Sequence, residues 1–179
     1  MESAADLQAA CRELLPSYAR PRGETQRWGV LTRGCLQRWP VERFGEPGPP
    51  AAERFDEIAL GLLIDPMKDA GSILITGVER PSDMLCGLWL ARRSGLFVAG
   101  ATSRGAIGSR SRLGLVPAFK PAALTHAAYT LATLYANAAY KRHLAARGNA
   151  QEVQLEAGAG DVHERLTRQA RSWGVALSL

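Results

Sequence analysis

Between Ser103 and Arg112 the chain reads Ser-Arg-Gly-Ala-Ile-Gly-Ser-Arg-Ser-Arg. Guanidiniums, hydroxyls and glycines at this density are the chemistry of anion binding. A guanidinium matches phosphate oxygens in pairs, and backbone N–H groups freed by glycine add further donors. Two phosphate-loop signatures are excluded. Gly100 and Gly105 have the four-residue gap of a P-loop without the Lys-Ser/Thr that must follow, and no G-x-G-x-x-G occurs. Arg104, Arg110 and Arg112, with Lys120, Lys141 and Arg142 further along, form the candidate phosphate-contacting set.

Other constellations are weaker. His126, Thr130, Thr133, Asn137 and Lys141 recur at helical spacing, flanked by Tyr129 and Tyr140. They read as the wet face of an amphipathic helix, or as a surface that touches a ligand. Cys35 stands among Arg27, Arg33 and Arg38, whose charges favour a thiolate, so a Cys35 nucleophile with His126 as base is an enzymatic alternative. Cys11 and Cys86 read as small buried apolar side chains. The three cysteines contain no C-x-x-C pair, and His126, His143 and His163 are scattered. Neither a metal site nor a cofactor is expected. Asp56, Glu57 and Asp65 read as a solvated helix face, Trp89 and Trp173 as core, and Trp28 and Trp39 as packing of the N-terminal helices or a base-stacking pair.

Charge is unevenly placed. From Met84 to Gln151 there is no Asp or Glu, and nine Arg and Lys residues give that stretch +9, while the remainder nets −4. Such asymmetry speaks of partners rather than fold. Nineteen of the 22 basic residues are Arg, a bias that a GC-rich coding sequence also produces. Hydrophobic residues at 46% and charged residues at 22% exclude wholesale disorder. No apolar run approaches the roughly 20 residues of a membrane span, and the first residues resemble neither a signal nor a transit peptide, so a cytoplasmic location with no membrane partner is expected.

The elements that must position these residues follow from punctuation and period. Helices are expected over about 4–15, ended by Pro16; over 25–39, ended by Pro40; from Pro50 to Ile64; over 121–147, begun by Pro121 and ended by Gly148; and over about 160–173. Leu124, Ala128, Leu131, Tyr135 and Ala138 form the apolar stripe of the long fourth helix. Between them, 72–78, 85–92 and 96–102 read as three antiparallel strands, with a hairpin turn at Arg93-Ser94-Gly95; a helix from Asp83 to Ala91 is the competing assignment. Leu113–Phe119 reads as an edge strand. The Gly-Pro loop at 45–50 divides a helical hairpin, 1–44, from a main body, 51–179.

The fold expected is therefore α+β: a small antiparallel sheet packed against a long helix in the C-terminal half, with N-terminal helices. The function expected is non-catalytic binding of nucleic acid, or of an acidic protein partner within a nucleoprotein assembly. A subunit that docks partners through its N-terminal hairpin or Ala-rich helix is the second reading, and a Cys35/His126 enzyme the third.

Overall fold

The helices expected over 4–15 and from Pro50 to Ile64 form where their boundary residues place them, and the helix expected over 25–39 forms as far as Leu36, its expected end at Pro40 lying outside the described residues. The computed structural model describes residues 1–19, 23–36, 48–66, 70–100, 108–120, 124–155 and 160–178. After a short strand β1 (Glu2–Ser3), the Ser3 hydroxyl accepts the N–H of Asp6 and caps α1 (Ala4–Leu14), which buries Leu7, Ala10 and Cys11. Pro16 ends α1 and opens the single turn α2 (Pro16–Ala19). Helix α3 (Glu24–Leu36) buries Leu31 and Cys35, and α4 (Pro50–Ile64), with Pro50 in its first turn, buries Phe55, Ala59 and Leu62. Trp39 and most of the Gly-Pro loop lie outside the described residues.

The expected antiparallel sheet is corrected to a parallel one. Strand β2 (Ser72–Thr76) forms as read, but residues 85–92 are helical, within α5 (Pro81–Arg93). Its start is fixed locally: Pro81 occupies the first turn, and the Asp83 carboxylate accepts the N–H groups of Glu79 and Arg80 at 3.0 and 2.9 Å. Every residue from Pro81 to Ala91 is buried, so the helix has no polar stripe and its apolar run carries no period to read. Arg93-Ser94-Gly95 is the end of this helix and not a hairpin turn. Gly95 takes φ 75°, and Leu96 N–H closes back on the Ala91 carbonyl at 2.8 Å. The third expected strand shrinks to β3 (Phe97–Val98), paired antiparallel with β4 (Arg110–Ser111) outside the main sheet.

Strand β5 (Gly114–Phe119), read as an edge, is central. It pairs in parallel with β2 on one side and β7 (Gln154–Leu155) on the other, and β1 adds in parallel to β2. Just before β7, β6 (Ala150–Glu152) pairs in parallel with β8 (Ala176–Ser178). The expected long helix is two helices, α6 (Leu124–Ala136) and α7 (Ala138–Ala145). Asn137 leaves the helical region at ψ 129°, and its Oδ1 caps α7 by accepting the N–H groups of Ala139 and Tyr140 at 2.9 and 3.1 Å. Within the stripe, Leu131 and Tyr135 are buried, while the Leu124 side chain lies outside the described part. Helix α8 (Gly160–Ser172) buries Leu166 and Ala170, as expected. Helix is the majority structure among the described residues, and no described helix is long and apolar enough to cross a membrane.

Strand order in the four-stranded sheet, β1-β2-β5-β7, follows chain order. A doubly wound sheet reverses its order at a switch point; this one does not, so right-handed crossovers place the connecting helices on one face. The packing agrees: α1 lies against α5, α5 against α6, and α6 against α8. Ile75 and Leu115 point to that face, where they meet Gly87 of α5. Leu74 and Val116 point the other way and are half-buried. This is the geometry of a segment of a β/α barrel.

Candidate functional site

Parallel β/α sheets carry their ligands at the C-terminal ends of the strands. Here β2 runs through Gly77, at φ 69°, to Glu79 and Arg80 and then into the N-terminus of α5, while β5 runs directly into Lys120. Glu79, Arg80 and Lys120 are exposed. The N–H groups of the first turn of α5 are already taken, Ser82 N–H by Glu24 Oε1 at 2.8 Å and Asp83 N–H by the Arg80 carbonyl at 3.1 Å, so the side chains of Arg80 and Lys120 are what this edge offers a negative ligand. Asp83 occupies the cap of that helix, and Gln8 from α1 donates a short hydrogen bond to it, so the loop after β2 is held from two sides.

The other residues of the expected phosphate-contacting set do not gather at this edge. Arg110 lies exposed in β4. Arg112 donates to the Pro66 carbonyl at 2.6 Å, and Arg142 to the Gly100 carbonyl at 3.1 Å, so both brace loops. Lys141 sits 5.4 Å over the ring of Trp173, which is 42% exposed and not the core residue expected. Arg104 lies outside the described residues. The polar stripe of the expected long helix is also not one wet face. His126 and Tyr129 are exposed, whereas Thr130, Asn137 and Tyr140 are buried.

Cys35 and His126 form no catalytic pair. Cys35 is fully buried in the core and burial pushes its thiol well up, the opposite of an activated nucleophile, while His126 stands at the surface. Cys11 and Cys86 are buried as expected. Asp56 is no solvated helix-face residue: it is buried, pairs with Arg93 at 2.7 Å and accepts a short hydrogen bond from Ser94. Among the described residues no three His, Cys, Asp or Glu side chains gather as a metal would require.

The opposite, N-terminal edge of the sheet holds a cavity of about 130 Å³, lined by Ser72, Gly114, His143, Arg147, Glu152 and Ser178 among others. His143 is buried, with Nδ1 2.8 Å from Ser111 Oγ; burial, with Arg147 nearby, pushes its imidazole down to about 3. Below it, Tyr140 donates to Gln151 Oε1 at 2.8 Å, and Gln151 Nε2 donates to the Leu115 carbonyl, fixing β6 beside β5. Nothing in the sequence pattern isolates this cavity, because its lining comes from the starts of β2 and β5, from β6, from α7 and the residues after it, and from the end of β8.

Residues 66–158 match the phosphoenolpyruvate carboxylase family, a stretch that covers more than half of the chain and runs from before β2 to just after β7. The chain belongs to the phosphoenolpyruvate carboxylase family. No curated protein sequence matches it. The family segment contains the β2–α5–β5–α6–α7–β7 succession and Lys120. It overturns the expectation of a non-catalytic nucleic-acid-binding or nucleoprotein-assembly protein, since the family is one of carboxylating enzymes. The acid-free basic stretch that prompted that expectation lies wholly within the family segment. The signal that pointed elsewhere was the strand–helix–strand alternation after residue 71, visible once 83–91 is read as helix.

Proposed function

We propose that this chain forms part of a carboxylase of the phosphoenolpyruvate type, binding a small phosphorylated carboxylate at the C-terminal edge of its parallel sheet. The observation that carries the reading is the family match over residues 66–158, the stretch that supplies β2 and β5 and the residues following each. Phosphoenolpyruvate bears a phosphate and a carboxylate, so a site for it needs cations and N–H donors held near one another. Lys120 at the end of β5 and Arg80 after β2 supply cationic N–H donors from adjacent strands.

The test is incorporation of labelled bicarbonate into acid-stable product with phosphoenolpyruvate, with and without a divalent cation, alongside calorimetric titration of phosphoenolpyruvate alone. Product formation that requires the folded chain supports the full reading. Saturable binding without turnover supports the binding part and removes catalysis by this chain on its own. Absence of both overturns the proposal.

A further inference from the structure

The loop that follows β2 has all its backbone donors engaged. Asp83 Oδ2 accepts the N–H groups of Glu79 and Arg80 at 3.0 and 2.9 Å, Glu24 Oε1 takes that of Ser82, the Arg80 carbonyl takes that of Asp83, and Pro81 has none. The loop therefore presents side chains only, and Arg80 is its exposed cation. Asp83 grips Arg80 from both sides, its carboxylate on the Arg80 N–H and its own N–H on the Arg80 carbonyl, with φ −133° and ψ 152° between them. Both peptide groups are fixed, and so is the direction in which the Arg80 side chain leaves the backbone.

The groups that set this grip come from helices packed against α5. Gln8 of α1 donates through Nε2 to Asp83 Oδ1, the carboxylate oxygen that does not serve the loop. Arg12 Nη2 donates to Gln8 Oε1 at 3.1 Å, which turns the amide so that its donor end meets the carboxylate. Glu24 of α3 holds Ser82 with both oxygens, the second accepting the Ser82 hydroxyl at 2.7 Å. Ser82 and Asp83 are buried, and in that low-dielectric setting each bond is stronger than in water. Gln8 and Glu24 both precede the family segment 66–158.

We propose that Gln8 and Glu24 are positioning residues for the ligand edge, holding the loop so that Arg80 meets an oxyanion of the ligand from the strand adjacent to the one that ends at Lys120. The inference rests on the proposed function of that edge and adds that α1 and α3, outside the family segment, complete the site. A guanidinium bonds an oxyanion in pairs only in a defined orientation, and ordering it beforehand lowers the entropy lost on binding. Loosening either support should thus weaken binding through a residue that never touches the ligand.

A double-mutant cycle on the intact chain tests this, read by calorimetric titration of phosphoenolpyruvate. Gln8→Leu should weaken binding about five- to tenfold, the cost of ordering one long side chain. In an Arg80→Gln background the same change should matter by less than about twofold, because the side chain it positions is gone. In a Lys120→Met background the full loss should remain. Glu24→Ala should show the same pattern. A merely structural role lowers binding by one factor in every background, and that result would overturn the proposal. Hydrogen exchange keeps it decidable where a variant fails to fold: in the wild-type chain the amides of Glu79, Arg80 and Ser82 should exchange at least about 100-fold slower than in an unstructured peptide, and unprotected exchange would show that nothing holds the loop. A wild-type chain that binds no phosphoenolpyruvate overturns the proposed function and this inference with it, whereas binding that survives both Gln8→Leu and Glu24→Ala unchanged overturns this inference alone.

Discussion

His143 shows how a single buried side chain contributes to the response of this protein to acid. Its imidazole is held neutral, pushed down to about 3 from an ordinary 6.5 by burial and by Arg147. Between those values the unfolded chain binds a proton that the folded chain does not. Stability on this account is fully present above about pH 6.5 and falls as the pH drops, by about 1.4 kcal/mol per pH unit. Urea unfolding at pH 7 and pH 5 should show the wild type losing about 2 kcal/mol more than His143→Asn; equal losses would show that His143 titrates normally. Tyr135 gives the complementary case. Its hydroxyl is buried without a hydrogen-bond partner among the described residues, so Tyr135→Phe removes a desolvation cost and should be neutral or stabilising by about 1 kcal/mol. A clear loss of stability in denaturant would place a partner on that hydroxyl. At this scale the sequence was legible where chemistry was apolar: the burial of Cys11, Cys86 and Trp89 follows from their type and spacing. It was illegible where a polar residue is buried by a partner distant in the chain, as Asp56 is by Arg93 and His143 by Ser111.

At the scale of elements, Pro16 and Pro50 mark helix boundaries that form as expected, and the two main failures have different causes. Helix α5 is buried on all sides and so lacks the alternation between wet and dry faces by which a helix is recognised. The long helix failed for a different reason. Asn137 keeps the helical spacing of the stripe but breaks the backbone, turning α7 while its Nδ2 donates to Thr32 Oγ1 of α3 at 2.6 Å. Asn137→Ala therefore removes a cap and the link to α3 together. The expected cost is about 1–2 kcal/mol for the cap alone, measured by chemical denaturation; a cost under about 0.3 kcal/mol would show that the helix continues through the position. The Asp56–Arg93 pair joins α4 to the end of α5, with both side chains about one-tenth exposed. Asp56→Ala leaves a buried guanidinium without that carboxylate and should cost about 3–5 kcal/mol. A loss near zero would mean that water reaches the pair.

Across the whole molecule, the acid-free stretch and the fold explain each other only in part. Its positive charge is distributed: Lys141 covers Trp173, Arg112 and Arg142 hold loop carbonyls, and Arg110 lies on the β3–β4 ribbon. Composition shows how much charge there is, but only strand direction shows which charge reaches the edge where ligands bind, and strand direction is absent from local pattern because parallel pairing is set by contacts far apart in the chain. Lys120 is the member of the expected set that directly follows a central parallel strand. On the proposed function, its ammonium makes a charged hydrogen bond to the substrate, an interaction of about 1.5–3 kcal/mol, so Lys120→Met should weaken phosphoenolpyruvate binding by roughly 10- to 100-fold. The double change Arg110→Gln, Lys141→Met removes more charge from the same stretch but away from that edge. At physiological salt, screening over about 8 Å should confine its effect to within about threefold. Calorimetric titration of both variants, each first shown to be folded by its unfolding transition, separates the two origins. If the double change weakens binding as much as Lys120→Met does, the ligand responds to the overall field of the basic stretch, and the assignment of its site to the C-terminal edge of β5 fails.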